Sequence, residues 1–409
     1  MGNIYTGIDV GTNSVKIVVV EKIKNSFNLL ASSCTPSTYI NHGEVTNVKG
    51  LAKVIRDGLN EIEDMLGLKI DKAICSLNPI DLNMDIVQGS VEVEDPNSIS
   101  GVDISNLLNE TISSIDFGEQ ELVTSTPINF VVDGVKKVYD PKGIAGKTLE
   151  SKIVISSINK SSMYKMLEAI KLAGVDSVDV CFKSTGDYFS VKNEEYDKEV
   201  GAIINIGEES TEVSVFNRGI LIKNNLLPVG SRNVDKDISY VFKSKMEESR
   251  NMKETFAQAI ASYADAGDVY SFSVDKDTIK DVNQVNVSKV VEARVREILK
   301  LAKNEIKNLT NREIRYIIIT GGLTELAGFS QLVEQEFGFV AKVYNATTMG
   351  VRHNKFSSSY GITKYFDDKL SLRGKQYEMV SQSDVDAMLS VASSNDTFFN
   401  KMFGRFFEH

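Results

Sequence analysis

The segment Ile8-Asp9-Val10-Gly11-Thr12-Asn13-Ser14 returns in mid-chain as Ile204-Asn205-Ile206-Gly207-Glu208-Glu209-Ser210. Each copy ends an apolar run, turns at glycine and enters a second apolar run: Val15 to Val20 after the first, Val213, Val215 and Phe216 after the second. Apolar stretches on either side of a polar, Gly-led tip predict two β-hairpins. Such tips can aim backbone N–H groups at an anion, and the Asp9 carboxylate beside the first suits a hydrated hard cation such as Mg²⁺. A lone Asp-x-Gly-Thr also describes ordinary turns; its repetition is what constrains the fold. A third glycine turn, Thr320-Gly321-Gly322, follows the apolar strand Tyr316 to Ile319. Two related hairpins and this later turn predict two similar α/β halves facing each other across a phosphate-sized cleft.

Composition narrows the function classes. A chain of 409 residues has room for two to four domains on a prior of roughly 100–200 residues each. A net charge of −10 argues against a general nucleic-acid binder, and against adsorption on anionic membrane unless a local segment supplies the contact. Cys34, Cys75 and Cys181 are widely spaced and form no Cys-x-x-Cys, which reads as buried thiols in a reducing cytosol. His42, His353 and His409 are too scattered for a metal site. Neither a signal peptide nor a bilayer-spanning apolar run is expected.

Taken in order, residues 1–81 form the first part of one α/β core, with an amphipathic helix through Leu51, Ile55, Leu59 and Ile62. Residues 82–160 are β-rich, carry the hairpin signal Asp133-Gly134, and read as an inserted subdomain. Residues 161–198 complete the first core. The second core comprises 199–240 and 288–350, interrupted by a small subdomain at 241–287, in which Glu247 to Ala264 is expected to be helical. Residues 351–370 return to the first core as a helix. The polar stretch 371–395 reads as a linker.

Residues 396–409 differ. Phe398, Phe399, Met402, Phe403, Phe406 and Phe407 make a narrow helical stripe, with Lys401 and Arg405 off it and Asp396 in the first turn. A phenylalanine stripe is more often core, but this one lies beyond a polar linker. It predicts an amphipathic helix docking on an anionic membrane surface, with docking on protein as the alternative.

The two hairpins, the Gly-Gly turn and the β-rich insertion together resemble the actin/Hsp70/sugar-kinase superfamily, and within it the FtsA family of bacterial cell-division proteins. The resemblance covers nearly the whole chain. It is carried by Gly7, Asp9, Gly11 and Thr12, by Val132-Asp133-Gly134 and Asp140-Pro141-Lys142-Gly143, by Ile319-Thr320-Gly321-Gly322 and by the terminal helix. It implies an actin-like two-lobed α/β fold with a β-rich subdomain inserted in the first half and a C-terminal amphipathic helix. It implies ATP and Mg²⁺ between the halves, head-to-tail filaments, and FtsZ as the partner tethered to the inner face of the cell membrane at the division site. Gly11, Thr12, Asn13 and Ser14 would contact phosphates, and Asp9 would hold Mg²⁺ through water. Asn205, Gly207, Glu208 and Ser210 would form the second phosphate loop, Gly321 and Gly322 would lie near the sugar and α-phosphate, and Arg250 and Lys253 would lie near the adenosine. Val241 to Asn286 would face FtsZ.

Three departures from the family pattern stand out. Asn205 replaces a usual Asp, Glu208-Glu209 replace small residues, and Arg250 replaces a nucleotide-contacting Glu. The first removes a carboxylate that helps hold metal and attacking water; the second brings negative charge towards an anion unless the side chains point away. The expectation is ATP binding with weak or no hydrolysis. The alternatives are a PilM-like pilus-assembly adaptor and a small-molecule kinase of the same superfamily.

Overall fold

The computed structural model describes residues 3–273, 279–345 and 353–380. The terminal stripe of Phe398, Phe399, Met402, Phe403, Arg405, Phe406 and Phe407 lies outside them. The first hairpin is β1 (Asn3–Val10) and β2 (Ser14–Ile23), with β3 (Ser26–Pro36) beside β2. A short pair, β4 (Ile40–Asn41) and β5 (Glu44–Val45), leads into α1 (Val48–Leu66). Asn47 caps α1 by accepting the Gly50 N–H, and Gly67 ends it in the left-handed conformation at φ 68°. Its buried Leu51, Ile55, Leu59 and Ile62 recur at helical spacing and pack on the sheet. Next comes β6 (Lys72–Leu77), parallel to β1.

The chain then leaves this sheet. β7 (Asn83–Glu92), β8 (Gln120–Val132), β9 (Lys136–Val138) and β10 (Thr148–Asn159) form an antiparallel sheet of their own, in the order β7-β10-β8-β9. Asp133 and Gly134 turn β8 into β9 with φ of 51° and 69°. The helix α2 (Gly101–Ser113) covers the sheet, and Ile104, Leu107, Phe130, Leu149 and Ile153 make a separate core. The side chain of Ser100 accepts from the Val102 and Asp103 N–H groups, and Asp103 accepts from Ser100 in return.

After α3 (Lys160–Leu172), β11 (Asp176–Phe182) completes the first sheet in the order β11-β6-β1-β2-β3, and α4 (Lys183–Val191) follows. The second half repeats this plan. β12 (Val200–Ile206), β13 (Thr211–Asn217) and β14 (Ile220–Leu227) are followed by α5 (Ser231–Phe242), α6 (Met246–Asn251), the pair β15 (Val269–Ser273) and β16 (Ile279–Asn283), and α7 (Gln284–Leu309). Then come β17 (Tyr316–Thr320), α8 (Phe329–Phe337) and β18 (Ala341–Val343). The order β18-β17-β12-β13-β14 has the same strand directions as the first sheet, so the repeated turns sit at equivalent corners.

Two expectations are corrected. Glu247 to Ala264 is not one helix: α6 ends at Asn251 and a wide turn over Met252–Phe256 follows. The chain is then extended, because Gln258 N–H bonds the Ser288 hydroxyl, Ala259 N–H the Ala327 carbonyl and Ala261 N–H the Glu292 carboxylate. These tertiary partners replace the helical ones. Nor does a free linker begin at 371. Tyr377 meets Phe366 edge-on, and buried Met379 accepts the Thr6 N–H at its sulfur, 3.5 Å away.

The last helix, α9 (Ser357–Leu372), returns to the first half and crosses α4 where two glycines meet. A Cβ on Gly361 would lie 1.7 Å from the Gly186 carbonyl oxygen, and one on Gly186 would lie 2.5 Å from that of Ser358. Backbone cannot yield as a flexible side chain does. Gly361→Ala should therefore destabilise the protein by about 1–3 kcal/mol in urea unfolding. A loss below about 0.5 kcal/mol, the scale of ordinary surface changes, would show that this crossing is not tight.

Candidate functional site

The two turns close alike. Gly11 N–H donates to the Ser14 carbonyl at 3.0 Å, and Gly207 N–H to that of Ser210 at 2.9 Å. They face each other across a cleft of about 690 Å³. The lining brings together Asp9, Gly11, Thr12, Asn13 and Ser14 from the first half with Asn205, Gly207, Glu208, Ser210, Arg250, Lys253, Gly321 and Gly322 from the second. Gly321 has φ 100°, and a Cβ there would lie 2.3 Å from the Ile206 carbonyl oxygen, so only glycine seats this third turn against β12.

At the first turn, buried Asp9 is flanked by two lysines. Lys16, its cross-strand partner, lies 3.5 Å from Oδ2; Lys183, which opens α4, lies 3.4 Å from Oδ1 and donates to the Val10 carbonyl at 3.1 Å. The Ser76 hydroxyl donates to Oδ1 at 2.6 Å. Burial pushes the Asp9 pKa up, but the ammonium groups of Lys183 and Lys16 and the Ser76 hydrogen bond outweigh it, and the carboxyl titrates below its usual range. The expected Mg²⁺ does not fit this arrangement. Two fixed positive charges occupy the approaches a hydrated cation would take. Among the described residues, no cluster of three His, Cys, Asp or Glu side chains is arranged to hold a metal.

The second turn has the opposite sign. Glu212 faces Asn205 across β12 and β13 as Lys16 faces Asp9 across β1 and β2. The Asn205 amide donates to Asp187 Oδ2 at 2.6 Å. The other Asp187 oxygen accepts from the Ser357 hydroxyl at 2.5 Å and from that of Ser358 at 2.8 Å. Glu212 accepts from Asn224 at 2.6 Å, and that amide also reaches Ser214 at 2.7 Å. Both carboxyls are buried, and desolvation pushes Asp187 up to about 6 and Glu212 up to about 7. Neither stood among the residues expected from sequence. Glu212 was legible, because it occupies the position of Lys16 in the repeat. Asp187 lies inside a helix, where no motif marks it.

The remaining departures pair with one another. Glu208 accepts from Arg250 and from the Ser231 hydroxyl, so its charge does not face an anion uncompensated. Arg250 also reaches Asn13 Oδ1 at 3.4 Å, bridging the mouth of the cleft from second half to first. Glu209 turns aside to Arg232 at 3.0 Å. Lys253, expected near the adenosine, is buried with its ammonium 2.8 Å from buried Asp235; a lone ammonium would not be stable there.

The raised carboxyls have a pH signature. Each binds its proton more tightly folded than unfolded, so its contribution favours the folded state at low pH and is lost as pH rises, from about 4 to 6 for Asp187 and to 7 for Glu212. Glu212→Gln keeps the acceptor for Asn224 and removes the ionisation. Its melting temperature should match wild type at pH 5 and exceed it at pH 8, by a stability gain on the order of 1 kcal/mol. A variant that melts lower at pH 8 would show that the carboxylate is stabilised in place.

Comparison with known proteins follows the same division of the molecule. Residues 202–361 match the family model "Cell division protein FtsA", and residues 81–157 match "SHS2 domain inserted in FTSA", which falls on the separate antiparallel sheet. The cell division protein FtsA of Bacillus subtilis (strain 168) is 25% identical over 397 residues, spanning 96% of this chain and 90% of the relative. Among solved structures, the PilM-PilN type IV pilus biogenesis complex is similar with a TM-score of 0.61 at 16% identity, over 91% of this chain and 99% of that one. MreB5 of Spiroplasma citri bound to ADP follows at TM-score 0.54 and 10% identity, over 90% and 97%. These two likenesses concern the actin-like fold alone. The SHS2 insert within that fold, and the sequence matches on both sides of the cleft, place this chain in the FtsA family as a divergent member.

Proposed function

We propose that this protein is an actin-like scaffold of cell division that assembles into filaments and tethers FtsZ to the cytoplasmic membrane at the division site, binding ATP with little or no turnover. The observation that carries the reading is the pair of matching glycine turns around one cleft: two lysines stand at the first, and the Gly321-Gly322 turn lines the other side. MreB5, which shares the fold, was solved with ADP. Turnover is slow on this reading because Asn205 carries no charge to take a proton from water. The nearby Asp187 has its oxygens filled by Asn205, Ser357 and Ser358. Loss of a positioned base costs roughly 10²–10⁴-fold in rate.

Two surfaces serve the partners. The Phe399, Met402, Phe403 and Phe406 stripe would lie in an anionic membrane surface, with Lys401 and Arg405 offsetting the net charge of −10. The region from Tyr240 to Tyr263 exposes the side chains of Tyr240, Val241, Met246 and Tyr263, and these would contact FtsZ. Nucleic acid is not a partner on this reading.

The test uses purified full-length chain, purified FtsZ and vesicles containing anionic lipid. FtsZ should float with the vesicles only when this chain is present, and Phe403→Glu with Phe406→Glu should abolish flotation while leaving the melting temperature unchanged. Flotation that survives the double change would mean that the stripe docks on protein. Phosphate release from ATP by the wild type should stay well below about 1 s⁻¹, the low end of ordinary enzyme turnover; faster release would overturn the scaffold reading of the cleft.

A further inference from the structure

Lys16 and Lys183 converge on one point from different elements, β2 and the start of α4. Both ammonium groups lie over the first glycine turn: a Cβ on Gly11 would stand 3.2 Å from the Lys16 nitrogen and 3.7 Å from that of Lys183. One carboxylate, Asp9, is shared between the two, so at the turn itself the ammonium groups outnumber the carboxylate that pairs with them. Each lysine side chain is only 15% exposed, which limits screening by water. An ammonium has three N–H donors; Lys16 directs one to Asp9, and Lys183 serves Asp9 and the Val10 carbonyl. Ammonium donors therefore remain for an oxyanion at the turn. Across from them, burial raises the Glu212 carboxyl to about 7 and that of Asp187 to about 6, which weakens but does not remove their negative charge near neutral pH.

We propose that the cleft binds its nucleotide as the metal-free polyphosphate, with Lys16 and Lys183 supplying at the first turn the positive charge that a divalent cation would otherwise bring. The inference rests on the nucleotide reading above and deepens it. A divalent cation placed beside Asp9 would meet two like charges at short range. A polyphosphate without one carries more negative charge and gains more from the same pair. Binding, and any closure of the halves that follows from it, is then independent of magnesium.

The experiment is calorimetric titration of the purified full-length protein with ATP, once in excess EDTA and once in excess MgCl2. Affinity in EDTA should equal or exceed that in magnesium. Lys183→Gln should lose about tenfold in EDTA and less in magnesium. Lys16→Gln provides the same comparison if the first variant does not fold. Binding that requires magnesium, or a Lys183→Gln protein that binds in EDTA as tightly as wild type, overturns the inference and leaves the nucleotide reading standing. Absence of binding under both conditions overturns the nucleotide reading, and the inference with it.

Discussion

A carboxylate removed from water must find its hydrogen bonds in the protein, and Asp187 finds them from both halves of the molecule. Ser357 and Ser358 reach it because α9 lies against α4 at a backbone-to-backbone distance that only Gly186 and Gly361 permit. Asn205 reaches it from the end of β12, at the base of the second turn. The same Ser357 hydroxyl stands 2.7 Å from that of Thr320, which leads into the Gly321-Gly322 turn. One desolvated group thus joins the return helix, the second repeat and the third glycine turn, and sets where the far wall of the cleft stands. Behind this joint the halves are held by apolar contact, Tyr188 stacking on Phe216 at 4.6 Å between centroids.

The departures from the family pattern read differently once their partners are known. Glu208 alone would repel an anion; Arg250 alone would be an unmatched charge at the mouth. Together they are an ion pair, braced by Ser231 and by Asn13 of the opposite half. Asn205 is likewise half of a pair with Asp187. An aspartate in its place would set a second carboxylate beside a buried one, and like charges at that distance cannot both ionise.

The duplication was legible in sequence because each turn returned with its flanking apolar strands, and strand and turn chemistry act over a few residues. The insert was legible from Asp133-Gly134, and α1 from the stripe of Leu51, Ile55, Leu59 and Ile62. What sequence hid were effects carried by distant partners. The extended chain at Gln258 to Ala261, where a helix was expected, follows from acceptors at Ser288, Glu292 and Ala327. The docking of residues near 379 depends on two isolated apolar side chains with no period. Asp9 read as a metal ligand because Lys183, which occupies its approach, is distant in sequence and belongs to a helix start with no motif of its own.

The two repeats share a backbone plan and differ in charge. In the first, Asp9 is opposed by lysines; at the equivalent corner of the second, an amide is opposed by a glutamate. The cleft therefore behaves as a small capacitor, one plate positive and the other neutral to negative, with low-dielectric protein behind each. Such a field extends into the mouth for roughly 8 Å at physiological ionic strength. A ligand with one anionic end would be turned towards the first turn as it enters, so halves alike in backbone make an entry that is not symmetric.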